Sequence, residues 1–185
     1  MTWPGPRRRL RRRLRAHGPD GPWDQLGAEL ADVGTAVVYA RLGDWLRMRT
    51  DVPWLRSLPG RDWRRYGSFS PARMRDRFAA SRLLLGYAAA SVIDTGRELV
   101  DLGYQPGGRP YVRGCDQIDV SLSHTEELMV LGITRKGRIG VGVELADRRP
   151  AGTGSELQAC TPYERRLPDA GDQTERNGTL VRLWR

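Results

Sequence analysis

The residues best suited to chemistry fall in one stretch, residues 107–145. SLSHT (121–125) places Ser121, Ser123 and His124 where an apolar–polar alternation stops. Hydroxyls and an imidazole at a strand end can hydrogen-bond an anionic ligand. A hydrolytic reading is weak, because adjacent Ser and His make no triad by themselves and the chain has no G-x-S-x-G elbow. Glu144 closes a second alternation. Ile139, Val141, Val143 and Leu145 take one face of an expected strand, and Gly140, Gly142 and Glu144 take the other. A divalent cation seated on such a strand would draw on carboxylates at i and i+2, and Gly142 stands where the first of them would be. GGRPY (107–111) is a turn that carries Arg109. GRIGVG (138–143) lacks both the G-x-G-x-x-G spacing and the helix of a dinucleotide loop. Taken singly, a strand glutamate, a turn arginine and a capping serine are ordinary surface features.

These residues need elements to hold them. Ile118, Val120 and Leu122 alternate with Asp119, Ser121 and Ser123, which predicts a half-buried strand. LMVLGI (128–133) predicts a central strand. With TRKG (134–137) as a turn and 139–145 as a third strand, the segment reads as an antiparallel meander. Upstream, Ser70-Pro71 supplies a helix start, with Ser as cap and Pro at the first position. The helix runs to Ile93 with Gly86 its single breaker. Met74, Phe78, Ser81, Leu85, Ala88 and Val92 share one face. Arg73, Arg75, Arg77 and Arg82 lie on the others, where arginines form a solvated face or hold phosphate. Val37, Val38 and Tyr39 predict a further strand. A long helix followed by a meander is an α+β arrangement. Beyond Pro150, CTPYERRL opens a helix that Pro168 stops, and NGTLVRLWR begins another helical pattern.

Composition narrows the classes. The chain has 185 residues and a formal charge of +9, and residues 7–15 hold seven arginines in nine positions. Such a balance favours anionic partners. No apolar run approaches the roughly 18 residues of a membrane span. With two histidines and two cysteines, Cys115 and Cys160, in no ligand spacing, a zinc site is disfavoured and a reduced, cytoplasmic protein is expected. Residues 1–22 read as a disordered Arg-rich tail, and nothing after the arginines forms the apolar core of a secretion signal. No aromatic residues interleave with those arginines, so nucleic-acid binding through Arg7–Arg15 has little to recommend it.

The order of the motifs says more than any one of them. GRPY, a strand ending in SLSHT, a second strand and then a G-x-x-x-E strand resemble the surfactin-type 4′-phosphopantetheinyl transferases, or holo-acyl-carrier-protein synthases, over roughly residues 35–185. The likeness is greatest to their actinobacterial-type branch. Their usual run is G-[KR]-P, N-x-S-H-S, G-[IV]-D-[IV]-E and W-x-x-K-E-[AS]. The resemblance implies two similar α+β lobes, the first over residues 23–112 and the second, incomplete and holding the metal strand, over 113–185. It implies transfer of phosphopantetheine from coenzyme A to a serine of an acyl or peptidyl carrier protein, with Mg²⁺ as cofactor, by a monomer. Arg109 and Pro110 match residues that lie against the nucleotide. Ser123 and His124 match a pair that contacts coenzyme A phosphates, and Arg82 matches a basic residue near the 3′-phosphate. Glu144 matches the second metal carboxylate, and Gly142 replaces the first. The base glutamate of the W-x-x-K-E-[AS] helix would lie beyond Arg185, so no catalytic residue is assigned. On this likeness the chain is expected to transfer phosphopantetheine slowly or not at all. The alternative is a non-catalytic module that binds coenzyme A or a carrier protein.

Overall fold

The computed structural model describes residues 13–47, 60–145 and 162. The chain divides after Val141, into residues 1–141 and 142–185. The first unit is a mixed α+β body. Its sheet contains β1 (Arg13–Arg15), β2 (Thr35–Arg41), β5 (Asp119–His124) and β6 (Leu128–Thr134), in the order β1-β2-β6-β5. β1 is parallel to β2, and the other pairings are antiparallel. A separate hairpin joins β3 (Leu102–Tyr104) to β4 (Pro110–Val112). The helices are α1 (Trp23–Asp32), α2 (Leu42–Arg47), α3 (Gly60–Ser68) and α4 (Ala72–Val92), with a 3-10 turn at Arg97–Leu99.

Alternation along the strands sets the two faces of the sheet. Ala36, Val38 and Ala40 of β2, Met129, Leu131 and Ile133 of β6 and Val120 of β5 are buried on one side. They belong to the same core as the leucines and alanines of α4. The helix is buried almost continuously from Phe78 to Ala90, because Ala79, Ala80, Leu83, Leu84, Leu85, Ala88, Ala89 and Ala90 leave no polar stripe over those turns. A helix apolar on all sides packs on all sides. The single-face pattern expected for it is therefore too narrow, and Met74 from that pattern is exposed. Helix α4 begins one residue later than the Ser-Pro pattern implies, with extended Pro71 as its N-cap.

Three further expectations change. Residues 13–22 are ordered, although the Arg-rich composition reads as a disordered tail. Leu14 is buried between exposed Arg13 and Arg15, and burying one leucine is worth about 1.5–3 kcal/mol. Ala16 N–H then donates to Tyr39 O (2.9 Å), and the indole of buried Trp45 donates to Ala16 O (3.2 Å). Second, β5 and β6 share a sheet with β2, so the sheet runs across the lobe boundary expected after residue 112.

Third, residues 139–145 form no strand. Ile139 N–H and Val141 N–H donate to the side chains of Asp119 (2.7 Å) and Ser121 (3.2 Å), not to strand carbonyls. A ladder needs backbone acceptors, and the side-chain acceptors of Ile139 and Val141 do not build one. This segment crosses the sheet at Gly132, the partner of Ser121 in the β5–β6 register. A Cβ at residue 132 would lie 2.6 Å from Val141 Cγ1 and 2.7 Å from Ile139 Cδ1. Any larger residue there would have to push these side chains off the strand, so glycine suits the close approach. The expected helices after Pro150, residues 1–12 and Arg185 lie outside the described residues, as does Cys160.

Candidate anion-binding site

His124 is the last residue of β5, and Thr125–Leu128 turns the chain into β6. Thr125 N–H donates to Leu128 O (2.8 Å), and Leu128 N–H donates to Thr125 Oγ1 (3.2 Å). In the alternation of β5, His124 follows Val120 and Leu122 onto the face that meets α4. Ser121 and Ser123 take the other face with Asp119. Helix α4 approaches this strand end with residues one turn apart. Arg73 pairs with Glu126 of the turn (2.7 Å), and Ser81 Oγ–H donates to Sδ of Met129, the cross-strand partner of His124 (3.6 Å). Arg77 lies between them in sequence. Partial burial of the imidazole, and then the positive charge of Arg77, hold the His124 pKa below its ordinary 6.5.

Arg109 and Pro110 sit elsewhere. Pro110 is buried at the start of β4. The Arg109 guanidinium pairs with Asp119 and donates to Ile139 O (2.6 Å). Asp119 therefore joins the hairpin, the first residue of β5 and the loop at 139. Asp119 and His124 are five residues apart on one strand, about 17 Å at the usual rise. The structure thus places Arg109 and the Ser123–His124 pair at opposite ends of β5. An extended ligand could span them, whereas one phosphate group could not.

Arg82 lies in the interior rather than on a solvated face. It is 1% exposed. Its Nε and Nη2 both donate to Asp62 of α3, and Nη2 also donates to Leu102 O (2.9 Å). Two guanidinium groups lie against the ring of Tyr104, with Arg65 4.1 Å and Arg82 4.9 Å from its centroid. These partners tie α3 and β3 to α4.

Arg97 explains Gly86. A Cβ at residue 86 would collide with Nε and Cζ of Arg97, so the glycine is the seat of a second guanidinium and not a helix breaker. Burial, and then the charge of Arg82, push the Arg97 pKa down. Sequence reasoning missed Asp62, Tyr104, Arg97 and Asp119. Only Gly86, a glycine inside an otherwise strong helix, hinted at any of them.

Four arginines, Arg77, Arg82, Arg97 and Arg109, each hold a buried N–H-bearing nitrogen without a hydrogen-bond partner. The corresponding imbalance on carboxylates is confined, among the described residues, to one oxygen of Asp44. Excess donors of this kind suit an anion better than a cation. Among the described residues no three of His, Cys, Asp and Glu cluster as metal ligands.

Glu144 belongs to the second unit, where its Oε1 accepts from Leu145 N–H (3.0 Å). With Gly142 beside it offering no side-chain oxygen, the residues present do not fit a resident Mg²⁺ site. Among the described residues no helix is long and apolar enough to cross a membrane. No family model matches the chain, and no curated protein matches its sequence.

Proposed function

We propose that the chain is a 4′-phosphopantetheinyl transferase by descent and that it binds coenzyme A. The observation that carries the reading is the ordered series GRPY, SLSHT and the Glu144 segment, with His124 ending a strand beside the arginines of α4. In this reading Ser123 and His124 hold coenzyme A phosphates, and Arg109 with Pro110 lies toward the nucleotide. Arg82 stabilises the β3–β4 hairpin through Asp62 and Leu102 O instead of meeting the ligand. An acyl or peptidyl carrier protein is the acceptor, and the protein acts as a cytoplasmic monomer.

Gly142 favours a second reading, a coenzyme A-binding protein that no longer transfers the arm. The two readings part in one assay. The chain is mixed with a carrier protein, coenzyme A and Mg²⁺, and the carrier is weighed by mass spectrometry while coenzyme A binding is measured by calorimetry. Binding with rapid modification supports the transferase, and binding without modification supports the second reading. Absence of binding overturns both.

A further inference from the structure

We propose that Asp119 is the positioning residue for the nucleotide half of the ligand: it aims Arg109 by clasping it to residue 139. The ligand rests on the coenzyme A reading, whereas the clasp rests on hydrogen bonds alone. Asp119 Oδ2 accepts from the Arg109 guanidinium and from Ile139 N–H (2.7 Å). The same guanidinium nitrogen, Nη2, donates to Ile139 O (2.6 Å). Arg109, Asp119 and the backbone of Ile139 thereby close a ring, and both hydrogens of Nη2 are used inside it. With Nε buried, Nη1 is what remains of the fork for a ligand.

The ring joins three separate stretches of chain: the turn before β4, the first residue of β5 and the segment that crosses Gly132. Bonds within the turn fix only the backbone of Arg109. Its carbonyl accepts from Gln105 N–H (2.9 Å), and Gly108 N–H, at φ +81°, donates to Gln105 O (2.8 Å). A long arginine side chain on that backbone keeps its rotamer freedom until its tip is tied. Asp119 ties it before a ligand arrives, which is preorganisation. At 26% and 24% side-chain exposure, Arg109 and Asp119 are shielded enough to hold one geometry and open enough for Arg109 to be reached. Charge alone argues the other way. A carboxylate beside Arg109 repels an anionic ligand, so the two effects predict opposite signs when that charge is removed.

The test uses the full chain and calorimetry with coenzyme A, adenosine 3′,5′-bisphosphate and 4′-phosphopantetheine. Asp119→Asn should weaken coenzyme A and the bisphosphate about tenfold, the worth of one charged hydrogen bond. It should leave phosphopantetheine within about twofold of the parent. Asp119→Glu keeps the charge but shifts the carboxylate by a methylene. It should weaken the bisphosphate in the same sense, and it decides the matter if Asp119→Asn fails to fold. Asp119→Asn added to Arg109→Gln should cost nothing more, because Asp119 acts through Arg109. Bisphosphate binding that is unchanged or tighter in either folded variant overturns the positioning role. Equal losses for both halves of the ligand, or additive losses in the double variant, overturn it too. Amide exchange reads the clasp separately. Asp119→Ala should speed exchange at Ile139 about tenfold or more, and an unchanged rate overturns the clasp. A parent that binds neither coenzyme A nor the bisphosphate overturns the functional reading and the positioning role with it, while faster Ile139 exchange leaves the clasp standing.

Discussion

Replacing Asp62 with Asn tests the assignment of Arg82 to the interior. Arg82 is 1% exposed and the Asp62 side chain 9% exposed, so water can do little for either charge. Both Arg82 Nε and Nη2 donate to the same carboxylate oxygen. The substituted amide keeps the shape of the carboxylate but removes its negative charge, leaving a guanidinium inside. Breaking a buried pair from one side costs about 3–5 kcal/mol. For a chain of this size each kcal/mol moves Tm by about 2–4 °C, so a fall of about 6–20 °C is expected. Urea denaturation should give a lower midpoint at an unchanged slope. The double variant Asp62→Leu, Arg82→Met removes both charges and should recover most of the loss, since apolar replacement of a whole buried pair is often neutral or stabilising. It should also retain coenzyme A affinity within a few-fold. A cost below about 1 kcal/mol for Asp62→Asn would refute the buried-pair argument. A folded double variant that binds coenzyme A more than tenfold more weakly would show that Arg82 meets the ligand.

Three other outcomes follow from the same geometry. Gly86→Ala drives a methyl into the Arg97 guanidinium and should cost about 1–3 kcal/mol by chemical denaturation; adding Arg97→Ala should relieve it, and an additive double variant would contradict the contact. The folded-state pKa of His124 is depressed, so the unfolded chain takes its proton first as pH falls. Its contribution to stability is therefore full above 6.5 and is lost as pH drops through the lower folded-state value. His124→Gln should flatten that part of the stability–pH profile, and an unchanged profile would count against the shift. A Cβ at residue 142 meets no heavy atom within 4 Å. Gly142→Asp should thus fold normally and strengthen Mg²⁺ binding, as read by calorimetry in the presence of pyrophosphate, whereas affinity equal to the parent would remove Gly142 from the account.

Much of the fold was legible because burial imposes a period. β2, β5, β6 and α4 all follow from apolar spacing, and their bounds fall within a few residues of the expected ones. What was not legible lies where charge and burial part company. Arg82 reads as surface until its partner, Asp62, is found 20 residues upstream on another helix. Leu14 sits inside an arginine run whose composition hides the one residue that anchors β1. The alternation of 139–145 is real, but Asp119 and Ser121 take the amide donors of Ile139 and Val141, and these residues are not in a strand. His124 was singled out by its motif, and it ends β5 as the alternation implies. Arg77 was one of four helix arginines with nothing in sequence to single it out, since only the docking of α4 against the β5–β6 turn distinguishes it.

The central claim is that the end of β5 beside α4 holds a coenzyme A phosphate. Calorimetric titration of coenzyme A into the intact chain and into a folded His124→Gln variant tests it most directly. The account predicts saturable binding that weakens with salt and falls at least about tenfold in the variant, the worth of one charged hydrogen bond. Binding of equal strength to both chains, or to neither, would contradict it.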